Sequence, residues 1–565
     1  MKKILALMLS LVMLVSVLAG CGGGESAEPQ KTPDSTQAPG NETQPQGNDT
    51  QPQGTTTEGP QYGGHLNVRM ASRPTGIDPL TQTGAWRLLY ITAVYENALT
   101  RDAENNICPG VCDFELSADQ LDLKLWVRDG FTFSNGDSVD IYDVEASINR
   151  ALKRYALITK YVQPYVKSVQ VENDGSKDIL HVTFTEYNDK CMYYFAAYQP
   201  WMAIMPKEIC EKYANSYIID TLADAIGTGP YVFTDFQDAV RVTISKRPDY
   251  VPVESSNTGL AGTKYGYMDS ITFWYNGTDA SSCLALLSGE YDMTEVVPAD
   301  YVEMAKAEGI VLTTLPSDQR TWIIFNTLGS DNPCAKYPSL RKAVMAAIDY
   351  EAFLNVVCDG AQIFEGENSG FILGNKYPTD AFTSQDYYGP ANQEVVDKYL
   401  EAAKAEGYKG EPVTVVYHSG RSDIPTLLSA AMEDAGIAYK LETMETTTYS
   451  AFVNDPSNEW DFTFAWNTTQ YRPSDLSDAL MVDDYKSEEK DQMLAQLSKL
   501  DPESEEYAQL WQQLAQHTAD GCYIGFLAAI DWWWWHPETL HPNDNGLARY
   551  VYNTYWEDPQ NHPQK

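Results

Sequence analysis

The feature that most constrains this chain is a change of character near residue 62. Behind Lys2 and Lys3, Ile4 to Leu18 is an almost unbroken apolar run. Residues 22–62 then hold Gly, Ser, Thr, Pro, Gln, Asn and acidic residues, with almost nothing large and apolar. Asn41 to Gly47 and Asn48 to Gly54 nearly repeat one another. Such a segment cannot bury enough surface to offset its ordering entropy. A packed body is therefore expected only from residue 63 onward. That leaves roughly 500 residues, more than one core holds efficiently, so two or more lobes are expected.

The first residues carry the parts of an export signal: a basic head, an apolar centre and a small-residue exit. The apolar run is about fifteen residues, short of the ~20 needed to span a bilayer as a helix. Its ending, Leu18-Ala19-Gly20-Cys21, resembles the bacterial lipobox, in which cleavage leaves a lipid-bearing cysteine at the new N-terminus. Residues 1–20 then form a signal peptide, Cys21 is the lipidation site, and 21–62 is a disordered tether. As a coil of ~40 residues its mean reach is on the order of 35 Å, enough to hold a body clear of a membrane.

Hydrophobic residues make up 43% of the chain, the mark of a globular body, and no later apolar run reaches spanning length. The net charge of −40 argues against nucleic acid or anionic lipid as the main partner. Eight cysteines follow Cys21, at spacings that specify no disulfide framework. Cys108 and Cys112 form the one close pair. Without a second pair nearby they make no zinc site, and buried free thiols are expected for most of the eight.

Periodicity places the elements. His65 to Val68 reads as a first strand, and Ile91 to Leu99 as a short amphipathic helix. Leu121, Leu123, Leu125 and Val127 alternate with polar partners, the period of a half-buried strand. A turn at Asp129-Gly130 leads to a return strand through Phe131 and Phe133. Asp140 is an expected N-cap, with Ile141, Val144, Ile148 and Leu152 on one helical face. Gly227-Thr228-Gly229-Pro230 turns the chain into a strand from Tyr231, whose partner carries Val240, Val242 and Ile244. Ser281 to Leu287 is helical, Thr321 to Asn326 a strand and Leu340 to Ile348 a helix. Val413 to Tyr417, Ile424 to Ala435 and Ala438 to Leu441 form a βαβ unit, which implies an α/β lobe with parallel strands. Ser504 to Thr518 is an amphipathic helix, and Tyr523 to Trp535 a strongly apolar, aromatic central strand.

Catalytic signatures are absent. None of the seven histidines stands in a His-Glu-x-x-His pattern, and there is no Gly-x-Ser-x-Gly elbow or phosphate loop. Paired carboxylates are too common in so acidic a chain to argue glycosidase chemistry. No catalytic residue, metal ligand or cofactor is assigned. The chain is read as a non-enzyme, with a secreted hydrolase as the remote alternative.

Several passages, in order, resemble bacterial extracellular solute-binding protein family 5, the oligopeptide-, dipeptide- and nickel-binding components of ABC importers. They are Tyr95-Glu96-Asn97-Ala98-Leu99, the hairpin from Leu125 to Asp137, Asp143-Val144 and Gly227-Thr228-Gly229-Pro230-Tyr231. Arg247-Pro248-Asp249-Tyr250, Gly289-Glu290-Tyr291-Asp292, Asn326-Thr327, Leu340 to Ala343 and Ile348-Asp349 follow. The resemblance implies an α/β, two-lobed, periplasmic-binding-protein-like (type II) fold with a small subdomain inserted in the first lobe. Lobe I would comprise 63–101, 220–316 and 533–565, the insert 102–219, and lobe II 317–532 with both hinge crossings. It further implies a monomeric receptor on the outer face of the cell membrane. The receptor would hold a small solute in an interlobe cleft and hand it to ABC transporter permease subunits.

Short peptides are the first expected ligand and oligosaccharides the second. Peptide binders of this family place an aspartate shortly after a Gly-Trp-like pair, to hold the peptide ammonium. Here Thr469 or Gln470 stands in that place, and a desolvated ammonium without a carboxylate is costly. The thirteen Trp and thirty-seven Tyr would suit sugar stacking. By position in the family, Trp322, Trp466, Trp532 and Trp533 are expected on the aromatic wall of the cleft. Asn326, Gln470 and Arg472 are expected among its polar contacts.

Overall fold

The computed structural model describes residues 59–563, except 71–72, 75, 81–84, 104–105, 198, 216–217, 329–330, 359–363, 366–378, 420–422, 454, 456, 469–484, 486, 502–503 and 544–549. The signal, Cys21 and most of the tether lie outside the described residues.

One mixed sheet of eleven strands runs through the described body. In chain order these are β1 (His65–Arg69), β2 (Tyr231–Gln237), β3 (Arg241–Lys246), β4 (Ser270–Trp274) and β5 (Met293–Thr294). Then come β6 (Ile310–Phe325), β7 (Phe364–Glu365), β8 (Val413–His418), β9 (Tyr439–Met444), β10 (Phe462–Thr468) and β11 (Ile524–Pro537). Their spatial order is β9-β8-β10-β6-β11-β5-β1-β4-β3-β2, with β7 added on β11. Strands β1–β5 belong to lobe I and β8–β10 to lobe II. Two long antiparallel strands, β6 of 16 residues and β11 of 14, join the halves. At ~3.3 Å per residue β6 alone is about 50 Å long. Its ladder with β11 shifts register between Leu315 and Gln319.

The apolar residues sort by strand alternation. Ile323 and Phe325 face one core, with Phe462, Phe464, Val413 and Leu340 of lobe II, and this core continues to Cys283, Leu286 and Val297 of lobe I. Trp322 and Ile324 face the other, with Phe526, Trp511 and Trp460. A third core fills lobe I and continues into the insert. The insert is a four-stranded antiparallel sheet, ordered Cys112–Leu116, Asp122–Val127, Asp178–Phe184, Val166–Asn173. Helix Ile141–Arg154 packs beside it. Asp140 caps this helix by accepting from the Tyr142 and Asp143 amides, and Asp143 accepts in return from the Asp140 amide. Ile141, Val144, Ile148 and Leu152 are its buried stripe.

Charged groups brace the joints. Arg150 of the insert donates Nη1 and Nη2 to Asp78 of lobe I at 3.2 and 2.5 Å, and both side chains are buried. Asp78 also accepts from the Leu80 and Ile219 amides at 2.8 Å each. In lobe II, Arg341 donates to three backbone carbonyls: Cys334 at 2.5 Å, Gly521 at 2.7 Å and Cys522 at 2.9 Å. Asp461 accepts from the Cys334 and Thr414 amides, each at 2.7 Å.

Three local readings change. The first helix is Ala85–Val94, not Ile91 to Leu99; Leu99 begins a short strand paired with Pro109. Phe131 and Phe133 do not return beside Asp122–Val127, whose neighbours are Cys112–Leu116 and Asp178–Phe184. Arg247 instead ties that stretch to lobe I, donating to the Thr132 carbonyl and hydroxyl at 2.7 and 2.6 Å. Gly227 and Gly229 answer a close approach rather than a turn. A Cβ on them would sit 2.1 Å from the Val94 carbonyl oxygen and 2.5 Å from that of Ala93. All eight cysteines beyond Cys21 are buried free thiols, including Cys108 and Cys112.

Candidate functional site

Strand polarity locates the cleft. β1 is parallel to β4 and β5, and β5 is antiparallel to β11. β11 is antiparallel to β6, and β6 to β10. β10 is parallel to β8, and β8 to β9. So β1, β4, β5 and β6 run from lobe I toward lobe II, while β8, β9, β10 and β11 run back. The carboxyl ends of the parallel strands of both lobes face one another across the middle of β6 and β11. Open α/β sheets bind ligands outside those ends.

On the lobe I side the edge is made by Arg69 and Trp274, cross-strand partners at the ends of β1 and β4. Arg69 is buried. Its Nη2 donates to Asp279 Oδ1 at 2.8 Å, while among the described residues Nε and Nη1 have no hydrogen-bond partner. Asp279 opens helix Asp279–Leu287, whose N-cap Thr278 and Ser281 form a capping box. Behind Arg69 on the same face of β1, the Asn67 side chain is fixed. Its Oδ1 accepts from Trp274 Nε1 at 3.0 Å, and its Nδ2 donates to Asp292 Oδ2 at 3.3 Å. His65 follows, its Nδ1 2.6 Å from Ser270 Oγ, and burial lowers its pKa.

On the lobe II side the edge is made by His418 and the end of β10. The His418 ring stacks on Tyr417 at 4.4 Å and meets Tyr449 at 5.6 Å. Tyr449 shares a 2.9 Å hydrogen bond with Thr463 Oγ1, and burial pushes its hydroxyl up to about 12. Trp466 lies in β10 opposite Thr321, two residues before the end of the strand; its side chain lies outside the described residues. Gln470 and Arg472, like Thr469, lie outside them altogether.

The other expected contacts fall elsewhere. Trp322 is buried in lobe II, its ring against Phe526 at 5.2 Å and Phe382 at 6.1 Å. Asn326 follows the far end of β6, seven residues or ~23 Å of strand beyond Gln319. There its amide donates to the Asp461 carbonyl and its Nδ2 to the Asn458 carbonyl. Its place is the distal edge of lobe II, away from the strand ends that face lobe I. Trp532 and Trp533 pair with Leu315 and Thr314, beside the register shift. Trp532 faces the lobe I core; Trp533 faces the opposite side and donates Nε1 to the Glu295 carbonyl at 2.7 Å. Arg69, Trp274 and His418 are candidate residues that sequence position alone does not single out. The direction implied by the βαβ unit could have found His418, since it ends the first strand of that unit.

Comparison with known proteins agrees with this geometry. The profile of the bacterial extracellular solute-binding proteins, family 5 Middle, matches residues 103–488. A probable peptide ABC transporter periplasmic-binding protein, y4tO of Sinorhizobium fredii, is 23% identical over 66% of this chain and 69% of its own length. The oligopeptide-binding protein OppA of Bacillus subtilis is 23% identical over 57% of this chain and 61% of its own, less than two thirds of that relative. The ABC transporter substrate-binding protein CtaP of Listeria monocytogenes has the same fold, with a TM-score of 0.70 at 18% identity. That match covers 88% of this chain and all of CtaP.

Proposed function

The chain belongs to the bacterial extracellular solute-binding proteins, family 5, and from that premise we propose that it captures short peptides between its lobes and delivers them to an ABC import permease. The observation that carries this reading is the pair of opposed strand ends, with two long strands running between them whose ladder shifts register near its middle. A ladder that loses register between Leu315 and Gln319 can bend there, which is what closure over a solute requires. Arg69 supports a ligand bearing a carboxylate, since a buried guanidinium with donors unused suits bidentate pairing. Trp466, Gln470 and Arg472, which end or follow β10, are the proposed lobe II contacts, Arg472 as a second carboxylate partner. Trp532 and Trp533 are proposed to act at the bend.

Calorimetry with di- and tripeptides tests this, together with mass spectrometry of whatever is released from the purified protein on denaturation. Peptide in the released fraction, and a loss of about 1–3 kcal/mol of affinity in Trp466→Ala, are expected. The second reading is an oligosaccharide receptor, favoured by Thr469 and Gln470 standing where peptide binders carry aspartate. Released sugar in place of peptide would establish it. No helix among the described residues is long and apolar enough to cross a membrane. The proposed attachment is instead acylation at Cys21, with more than one chain for stable anchoring. Cell fractionation of Cys21→Ala, expected to release the protein, checks it.

A further inference from the structure

At the end of lobe I opposite the cleft lies a cavity of about 730 Å³. That volume falls within the ~300–1,000 Å³ of small-molecule sites. Val311 and Thr313 at the start of β6 and His536 at the end of β11 form its floor, and Pro60 stands on its rim. Its wall is an aromatic series. The Tyr265 and Tyr267 rings are 5.3 Å apart and 19° from parallel, and Tyr267 meets Tyr555 edge-on at 5.8 Å. Tyr555 stacks on His541 at 4.7 Å and 17°. Tyr62 also packs on Tyr267 at 4.9 Å, and the rings of the series are half-buried, so each keeps only part of its surface open.

The polar groups are of two kinds. Some only stiffen the wall. Asn553 accepts from the Tyr265 amide at 2.6 Å and donates to the Thr263 carbonyl at 3.0 Å. Glu254 accepts from the Tyr265 hydroxyl at 3.3 Å and from Thr263 Oγ1 at 3.2 Å. His541 is held by Glu557 at 3.0 Å. Others are left open: among the described residues the Tyr267 and Tyr555 hydroxyls and the Asn257 side-chain amide have no hydrogen-bond partner. Burial pushes the Tyr267 hydroxyl up to about 12, so it stays a donor at neutral pH. Glu254 and Glu538 line the cavity and no Lys or Arg does, which disfavours an anion. The carboxylate nearest the rings is already engaged, so the free chemistry is the open part of the rings, hydroxyls and an amide.

We propose that this cavity is a second ligand site, for a neutral saccharide stacked on Tyr267 and Tyr555. Sugar rings present apolar C–H faces to aromatic side chains and hydroxyls to the groups at the edge. The site stands apart from the cleft and does not depend on what the cleft holds.

The test titrates the full chain in detergent with cellotriose, maltotriose and chitotriose by calorimetry. Tyr267→Ala, Tyr555→Ala and Trp466→Ala are measured beside it. Binding of at least one trisaccharide is expected, weakened about tenfold by either tyrosine change and unaltered in Trp466→Ala. Asn257→Trp, a change on the exposed rim, should block binding by filling the cavity, and serves if a tyrosine variant does not fold. Binding that survives the tyrosine and Asn257 changes but is lost in Trp466→Ala places the sugar in the cleft and overturns the proposal. So does the absence of binding to all three.

Discussion

Asp78 and Arg150 join the insert to lobe I as a pair of buried charges, whereas Arg341 and Asp461 brace lobe II singly, each against backbone groups. The two arrangements fail differently. In a pair, the loss of one member strands the other in a medium that cannot solvate it. A lone guanidinium on three carbonyls takes its own charge with it when removed and leaves only neutral acceptors behind. Lobe I is thus held to its insert by a joint that tolerates no half-measure, and lobe II by one that degrades in steps.

The sharpest way to break this contrast is Asp78→Ala, expected to cost about 3–5 kcal/mol by urea unfolding because Arg150 stays buried and charged. Replacing both members, Asp78→Leu with Arg150→Met, should recover part of that loss, since the buried Arg87 beside Asp78 still loses that carboxylate neighbour. If the double variant is as unstable as the single one, the joint is not governed by stranded charge. Arg341→Ala comes next, at about 2–3 kcal/mol for three carbonyls deprived of a donor. A larger cost than that of Asp78→Ala would reverse the comparison.

Acid response differs in sign among the buried groups. Burial lowers the pKa of His65 and of His536, both in lobe I. The unfolded chain takes up protons there below about 6.5 while the native state resists. Their stability is full above that value and drains away as the pH falls below it. Burial raises Asp461 in lobe II, so the native state holds that proton more firmly than the unfolded chain. Its contribution is full in acid and is lost as the pH rises from the usual carboxylate range through the raised value. His65→Asn with His536→Asn should flatten the stability profile just below pH 6.5, and Asp461→Asn should flatten it in the more acid range. The smallest expected effect is that of Glu254→Gln at the rim of the outer cavity, within about 0.5 kcal/mol.

Much of the architecture was legible because it rests on local periodicity. The Asp140 cap with its buried stripe, the βαβ unit from Val413 to Met444 and the long last strand all follow from spacing along the chain. What could not be read is what depends on remote partners. Leu99 looked helical because its sequence neighbours are apolar, but its place is set by pairing with Pro109. Trp322 and Asn326 were expected at the site because the family resemblance puts a crossing segment in their region. That strand extends sixteen residues, and which part of it borders the cleft depends on pairing with β10 and β11. Arg69 carried no local signal; its significance comes from ending a strand aimed at the other lobe.

The position of β11 has a consequence for the order in which the molecule can be made. This strand, residues 524–537 of 565, lies between β6 and β5 at the middle of the sheet. A ribosome delivers it after all ten of the other strands of the sheet, so the two halves have no shared centre until every one of them has been made. Pairing of such distant segments is intrinsically slow. A nascent chain built this way holds its sheet in two separate parts until β11 emerges, and the joint between them is the last piece of the sheet to form.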